Sequence, residues 1–223
     1  MPALTKHQVN LLLIAIGLAL SYLLVPLAEG SIGNIIQKSS ACVFLAILGL
    51  MATEQKRISK LLCLALLCSA AGDAFLAIRN GDYFTHGLGA FLIAHLLYIS
   101  IFAKTQSWKE VATWRKGATA LVVLFAASML GMLWPELGAL KAPVFIYIAV
   151  ISTMALLALG SRLDPRLVVL GAISFLISDA TIAINKFLYA FELSGPLIWI
   201  TYIGAQVLLT LGIIKGSQKM PVA

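Results

Sequence analysis

The sequence predicts an all-α polytopic membrane protein, a bundle of eight transmembrane helices forming one domain over residues 1–223. Three observations lead there. Hydrophobic residues fill 61% of positions and charged residues only 11%, against about 25% charged in a soluble domain. The apolar residues are gathered into eight runs near the ~20 residues that a helix needs to cross a hydrocarbon core. The breaks between runs are short and rich in turn formers, leaving no linker long enough for a soluble domain.

The first run, 9–28, is too long for the apolar core of a signal peptide, and "LSYLLVPLAEG" is a poor cleavage site. It is read as a retained first helix. "EGSIGN" (29–34) separates it from 38–53, the shortest run. The third, 58–78, ends before "NGD" (80–82), and the fourth is 84–103. The fifth, 117–134, stops at "PELG" (135–138), and the sixth, 142–160, precedes "LDP" (163–165). The seventh, 166–187, and the eighth, 196–214, flank "ELSGP" (192–196). Cys42, Cys63 and Cys68 all fall inside apolar runs, and Cys63 and Cys68, five apart, do not share a helix face. Neither a disulfide framework nor a thiol metal site is expected.

The net charge of +7 is a topology signal and does not call for a nucleic-acid partner. Lys6, Lys56, Arg57, Lys60, Lys104, Lys109, Arg115, Lys116, Arg162, Arg166, Lys215 and Lys219 fall on one side. Lys38, Arg79, Lys141 and Lys186 fall on the other. Twelve against four places both termini in the cytoplasm. The expected location is a bacterial inner membrane.

A duplication is legible. "AGDAFLAI" (71–78) aligns with "ISDATIAI" (177–184), in spans 3 and 7. The preceding spans begin with "QKSSACVF" (37–44) and "LKAPVFIY" (140–147), and the following spans share "AHLL" (94–97) and "AQVL" (205–208). Recurrence of Ala, Leu and Ile by chance explains the flanks but not the ordered Lys–Asp–His/Gln series. A parallel 4+4 repeat is expected, with halves 1–116 and 117–223 and a polar site between them.

Ionisable groups within a span cost roughly 2.5–3.5 kcal/mol on insertion scales and mark function. Counted from each span's outer end, Asp73, Asp179, Tyr147 and Tyr202 lie one to just over two turns deep. His95, Tyr98 and Gln206 lie three to four turns in, and Lys38, Arg79, Lys141 and Lys186 sit at the outer border. Ser69, Asp73 and Leu76 share a helix face, as do Phe175, Asp179, Ala183 and Lys186. The expectation is one pocket opening to the non-cytoplasmic side. Each residue has a plainer use: Tyr and Gln as interhelical glue, the lysines as snorkelling anchors, His95 as a core histidine. Two acids at similar depth on related helices lack such an explanation.

Two carboxyl groups in a low-dielectric site titrate apart, so one holds a proton while the other is ionised. That pair supplies an acid and a charged partner, as in glycosidases. A vinyl ether is an analogous target. Protonation of its terminal alkene carbon creates an oxocarbenium ion that the second carboxylate stabilises. Activated water then gives a hemiacetal, which collapses to an aldehyde and an alcohol.

"SAAGDAFLAI" (69–78), "FTHGLGAFLIAHLLYI" (84–99), "APVFIYIAVISTM" (142–154) and "GAISFLISDATIAINKF" (171–187) resemble stretches of the YhhN-like lysoplasmalogenase family. The resemblance runs from about Lys38 to about Gly212. It implies an eight-helix membrane hydrolase acting on lysoplasmalogens, releasing a fatty aldehyde and glycerophosphoethanolamine or glycerophosphocholine. It also places the family's two acidic positions on Asp73 and Asp179 and its span-4 histidine on His95. One aspartate would be the proton donor and the other the stabiliser of charge, and the sequence does not distinguish them. His95 would tune or relay protons. Lys38, Arg79 and Lys186 would hold the head-group phosphate. Tyr98, Tyr147, Tyr202 and Gln206 would line the lysophospholipid site, in contact with bilayer lipid.

Three other classes compete. An intramembrane aspartyl protease would carry a glycine at Ala70 and a tyrosine at Ser178. A zinc amidase needs several histidines, and only three exist. No cofactor or metal is therefore assigned, although an Asp–Asp–His site stays open. A proton-coupled transporter would use the same acids as a relay, but its spans should be more broken by Gly and Pro, and its polar groups less confined to one leaflet.

Overall fold

A computed structural model describes residues 4–109 and 112–220. The described chain is helical throughout: α1 Lys6–Leu24, α2 Ile32–Ala52, α3 Lys56–Ala77, α4 Phe84–Ala103, α5 Thr113–Leu133, α6 Lys141–Gly160, α7 Pro165–Phe187 and α8 Ser194–Ser217. All eight are long and apolar enough to cross a membrane. The protein is an integral membrane protein of the predicted all-α class.

Several ends move from their predicted positions for local reasons. The first helix stops at Leu24, because Pro26 biases the residue before it away from helical geometry, and Val25 has φ −130 and ψ 71. The second is a turn and a half longer than expected, because the Ser31 hydroxyl accepts from the Asn34 N–H and starts the helix at Ile32. Asp164 does the same for α7, accepting from Leu167 N–H at 3.1 Å, with Pro165 at the first helical position. Short 3₁₀ turns, Trp134–Glu136 and Gly138–Leu140, join α5 to α6.

The described residues divide into two compact units, one reaching Ile101 and resuming at Thr210, the other Phe102–Leu209. The division falls inside α4 and inside α8.

In the first unit, α1 packs on α2 and α2 on α3. The Gln37 side-chain amide donates to Ser21 Oγ at 3.2 Å and to the Val25 carbonyl at 3.1 Å, closing the end of α1. At the opposite end, Gln8 Nε2 donates to the Met51 carbonyl. Helices α3 and α4 meet through small residues. A Cβ on Gly72 would come 2.6 Å from the Phe91 ring, and one on Gly87 2.7 Å from Leu76.

In the second unit, α5, α6 and α7 enclose a core of Met129, Leu133, Leu137 and Val144, backed by Phe125, Ile148, Ala180 and Ile184. Helix α7 meets α8 through Ser174 Oγ, donating to the Thr201 carbonyl at 2.8 Å, and Ser178 Oγ, donating to the Ile198 carbonyl at 3.1 Å. A clasp ties the segment after α4 to the α6–α7 turn. Gln106 and Ser161 form an antiparallel bridge, and Thr105 Oγ1 and Ser161 Oγ lie 2.7 Å apart. Arg115, counted above as a loop cation, is buried. Its Nη2 donates to the Ala158 and Ser161 carbonyls at 3.1 and 2.8 Å, satisfying the end of α6.

Phe91 is buried, so Gly72→Val overpacks the α3–α4 contact by about 1–3 kcal/mol. Thermal unfolding in detergent should fall accordingly, and Phe91→Ala in the same chain should restore part of the loss.

Candidate active site

Asp73 lies near the end of α3 and is only 2% exposed. Gly72 lets α3 close on Phe91 of α4, and Ser69, one turn earlier on the Asp73 face, is wholly buried. The Ser69 hydroxyl has no hydrogen-bond partner among the described residues.

A cluster of charge gathers around this end of α3. Lys38, half-buried on α2, feels the charges of Asp73, Arg79 and Glu29. Its Nζ sits 5.9 Å from the centre of the Tyr22 ring on α1, close enough for a cation–π attraction. Arg79, just past the end of α3, is exposed, and its guanidinium is engaged by Glu29 at 3.0 Å. Gly30, with φ +75, packs under the Arg79 stem, where a Cβ would come to 3.0 Å. The α1–α2 turn thus grips the end of α3. Tyr22 and Glu29 were missed in the sequence because what they meet lies on other helices and turns, 16 and 50 positions away in the chain.

His95 and Tyr98 on α4 are fully buried, on the same unit as Asp73.

In the second unit, Asp179 is half-buried on α7, and Tyr147 of α6 donates its hydroxyl hydrogen to Asp179 Oδ2 at 2.5 Å. Tyr147 itself is buried. This is a short contact that fixes the carboxyl's orientation. Helical periodicity could group Asp179 with its neighbours on α7 but could not show which residue of α6 it meets. Ser178 locks the same turn of α7 to α8. Tyr202 is buried, edge-on to Phe175 at 5.5 Å between ring centres, and also against Trp199. Gln206, one turn further along α8, is fully buried. Lys186 is exposed on the last turn of α7.

The structure therefore brings Asp73, Lys38 and Arg79 into one electrostatic neighbourhood and Asp179 and Tyr147 into a direct bond. Each acid is served by a residue from the helix before its own, α2 for α3 and α6 for α7. Each unit thus carries one acid on a helix long and apolar enough to cross a membrane.

Residues 33–213 match the YhhN family, and the chain belongs to it. A lysoplasmalogenase of Mycobacterium tuberculosis is 36% identical over 157 residues, covering 69% of this chain and 60% of that protein. The human lysoplasmalogenase TMEM86A is 37% identical over 166 residues, 70% of this chain and 65% of that one. The pig lysoplasmalogenase TMEM86B is 34% identical over 158 residues, 70% and 65%. The matched region thus spans 60% of the length of the mycobacterial relatives. No solved structure matches the chain.

The Arg79–Glu29 pair is exposed on both sides and contributes less than about 1 kcal/mol. Glu29→Gln should leave thermal unfolding in detergent nearly unmoved. Tyr147→Phe, which strips a donor from a partly buried carboxyl, should lower it by about 1–3 kcal/mol.

Proposed function

We propose that this protein hydrolyses the vinyl ether bond of lysoplasmalogens, yielding a fatty aldehyde and glycerophosphoethanolamine or glycerophosphocholine. The observation that carries this reading is membership of a family whose mycobacterial and human relatives bear the name lysoplasmalogenase. The pair of membrane-buried acids supplies a chemistry suited to it.

In this mechanism Asp73 and Asp179 divide the work. Asp73, in the field of the Lys38 ammonium, keeps the standing negative charge. Asp179, aimed by Tyr147, delivers its proton to the alkene carbon that does not bear the ether oxygen. Positive charge develops on the carbon beside the ether oxygen, and the Asp73 carboxylate stabilises it. Water adds to that carbon and returns a proton to the acid pair. The hemiacetal C–O bond then breaks, the glycerol oxygen takes up a proton, and the aldehyde carbonyl forms. One water is consumed.

His95 is assigned to proton relay. Lys38, Lys186 and, once it leaves Glu29, Arg79 are assigned to the head-group phosphate. Tyr98, Tyr202 and Gln206 are assigned to substrate binding. The same order of a lysine and then an acid, Lys38 and Asp73, Lys141 and Asp179, supports the parallel halves read from the sequence. Both termini face the cytoplasm.

Purified protein given lysoplasmalogen should release fatty aldehyde. Asp73→Asn and Asp179→Asn should each cut the rate about 100-fold or more, the scale of a lost acid–base group. A transporter would release no aldehyde in either form. Tyr147→Phe should lower kcat about tenfold with little change in KM, because it removes positioning rather than substrate binding. In heavy water, the aldehyde should carry one deuterium on the carbon next to the carbonyl. Product without that label would rule out protonation at carbon.

A further inference from the structure

The second unit holds an open groove of about 700 Å³ between α5 and α7 that the mechanism does not use. Leu121 and Phe125 of α5 and Val169, Ile173 and Ile177 of α7 line it. Trp114 and Arg166 stand at one end. The lining residues of α7 run from Pro165 to Ile177, about 18 Å at ~1.5 Å per residue. Half of a ~30 Å hydrocarbon core is about 15 Å, so the groove spans one leaflet and ends near its middle.

The charge at the Trp114 end is lopsided. Arg166 makes no ion pair among the described residues, and neither does Arg115, next to Trp114 in the chain. Arg115 gives its Nη2 to two carbonyls, and its buried Nε has no hydrogen-bond partner among the described residues. Arg115 is thus spent on the end of α6, and Arg166, exposed and without an ion pair among the described residues, is the cation that favours a negative group in the groove. A tryptophan beside them marks the level of the lipid head groups.

We infer that this groove binds one acyl chain of an anionic phospholipid of the surrounding bilayer, with its phosphate at Arg166. The groove's length suits a chain anchored at one face, and its apolar walls offer nothing to a polar ligand. The lipid it takes is not the substrate.

The test uses the full chain in phosphatidylcholine vesicles containing an equal share of brominated phosphatidylglycerol or brominated phosphatidylcholine. Quenching of tryptophan fluorescence is read, and Trp114→Phe isolates the share of Trp114. Brominated phosphatidylglycerol should act on that share with about fivefold higher apparent affinity, the selectivity that one basic residue supplies near a membrane surface. Arg166→Gln should bring the two lipids to parity with helicity unchanged by circular dichroism. Ala118→Leu, which narrows the groove, should weaken quenching by both. Equal quenching of the unaltered chain by both lipids would overturn the inference. So would loss of quenching on adding a single-chain alkenyl lysolipid, which would make the groove the substrate's own. The readout is binding, so it stands or falls independently of hydrolysis.

Discussion

A carboxyl group set within the apolar thickness of a bilayer has lost the water that would solvate it, and the protein must supply substitutes. Asp73 is almost wholly enclosed and lies in the field of Lys38. Asp179 receives the Tyr147 hydroxyl. In both cases the compensating group comes from a different helix. The acids are therefore tolerable only when α2 is docked on α3 and α6 on α7, and much of the packing in each unit serves that docking. Ser59 of α3 donates toward the Gly49 and Leu50 carbonyls of α2, while a Cβ on Gly49 would press to 2.9 Å from Leu62. In the second unit the Met129–Val144 core holds α6 against α7.

The residue before each acid deals with the helix that follows. Gly72 has no side chain because Phe91 of α4 occupies the space. Ser178 has a small one because its hydroxyl reaches a carbonyl of α8. Small residues at such contacts let backbones approach where lipid tails offer no hydrophobic drive between helices. The "GD" and "SD" pairs thus combine two jobs in adjacent positions: one residue closes the contact to the next helix, and the other carries the carboxyl about 100° further round.

The spans were legible in the sequence because apolarity over ~20 residues is a long-range average that survives small errors at the ends. Their ends were less so. Ser31 starts α2 six residues before the apolar run was recognised, because one capping hydroxyl carries little weight in a hydropathy average. The acids themselves stood out, being charged residues in apolar surroundings. Tyr147 was recognised as an intramembrane polar group, but its bond to Asp179 joins positions 32 apart and depends on how α6 turns against α7. Arg79 and Glu29 pair across a turn for the same reason. Arg115 was read from its flanking position as a loop cation. Burial beneath the α6 end depends on the Gln106–Ser161 clasp, and a two-residue bridge leaves no periodic trace.

The orientation of Asp179 bears on which chemistry suits the site. Protons pass between oxygens along hydrogen bonds that form and break readily, so a relay carboxyl gains from being able to swing between partners. Protonation of an alkene carbon is different. Carbon offers no lone pair, and the acid must approach along the axis of the π orbital at close range, so misalignment directly raises the barrier. A phenol holding Oδ2 at 2.5 Å fixes the plane of the carboxyl, the constraint that the proposed transfer to carbon needs. A buried tyrosine is a stiff anchor for this purpose, since its ring turns about only two side-chain torsions and is packed along its length. Fixed aim is what proton transfer to carbon requires, and it favours a hydrolase over a relay.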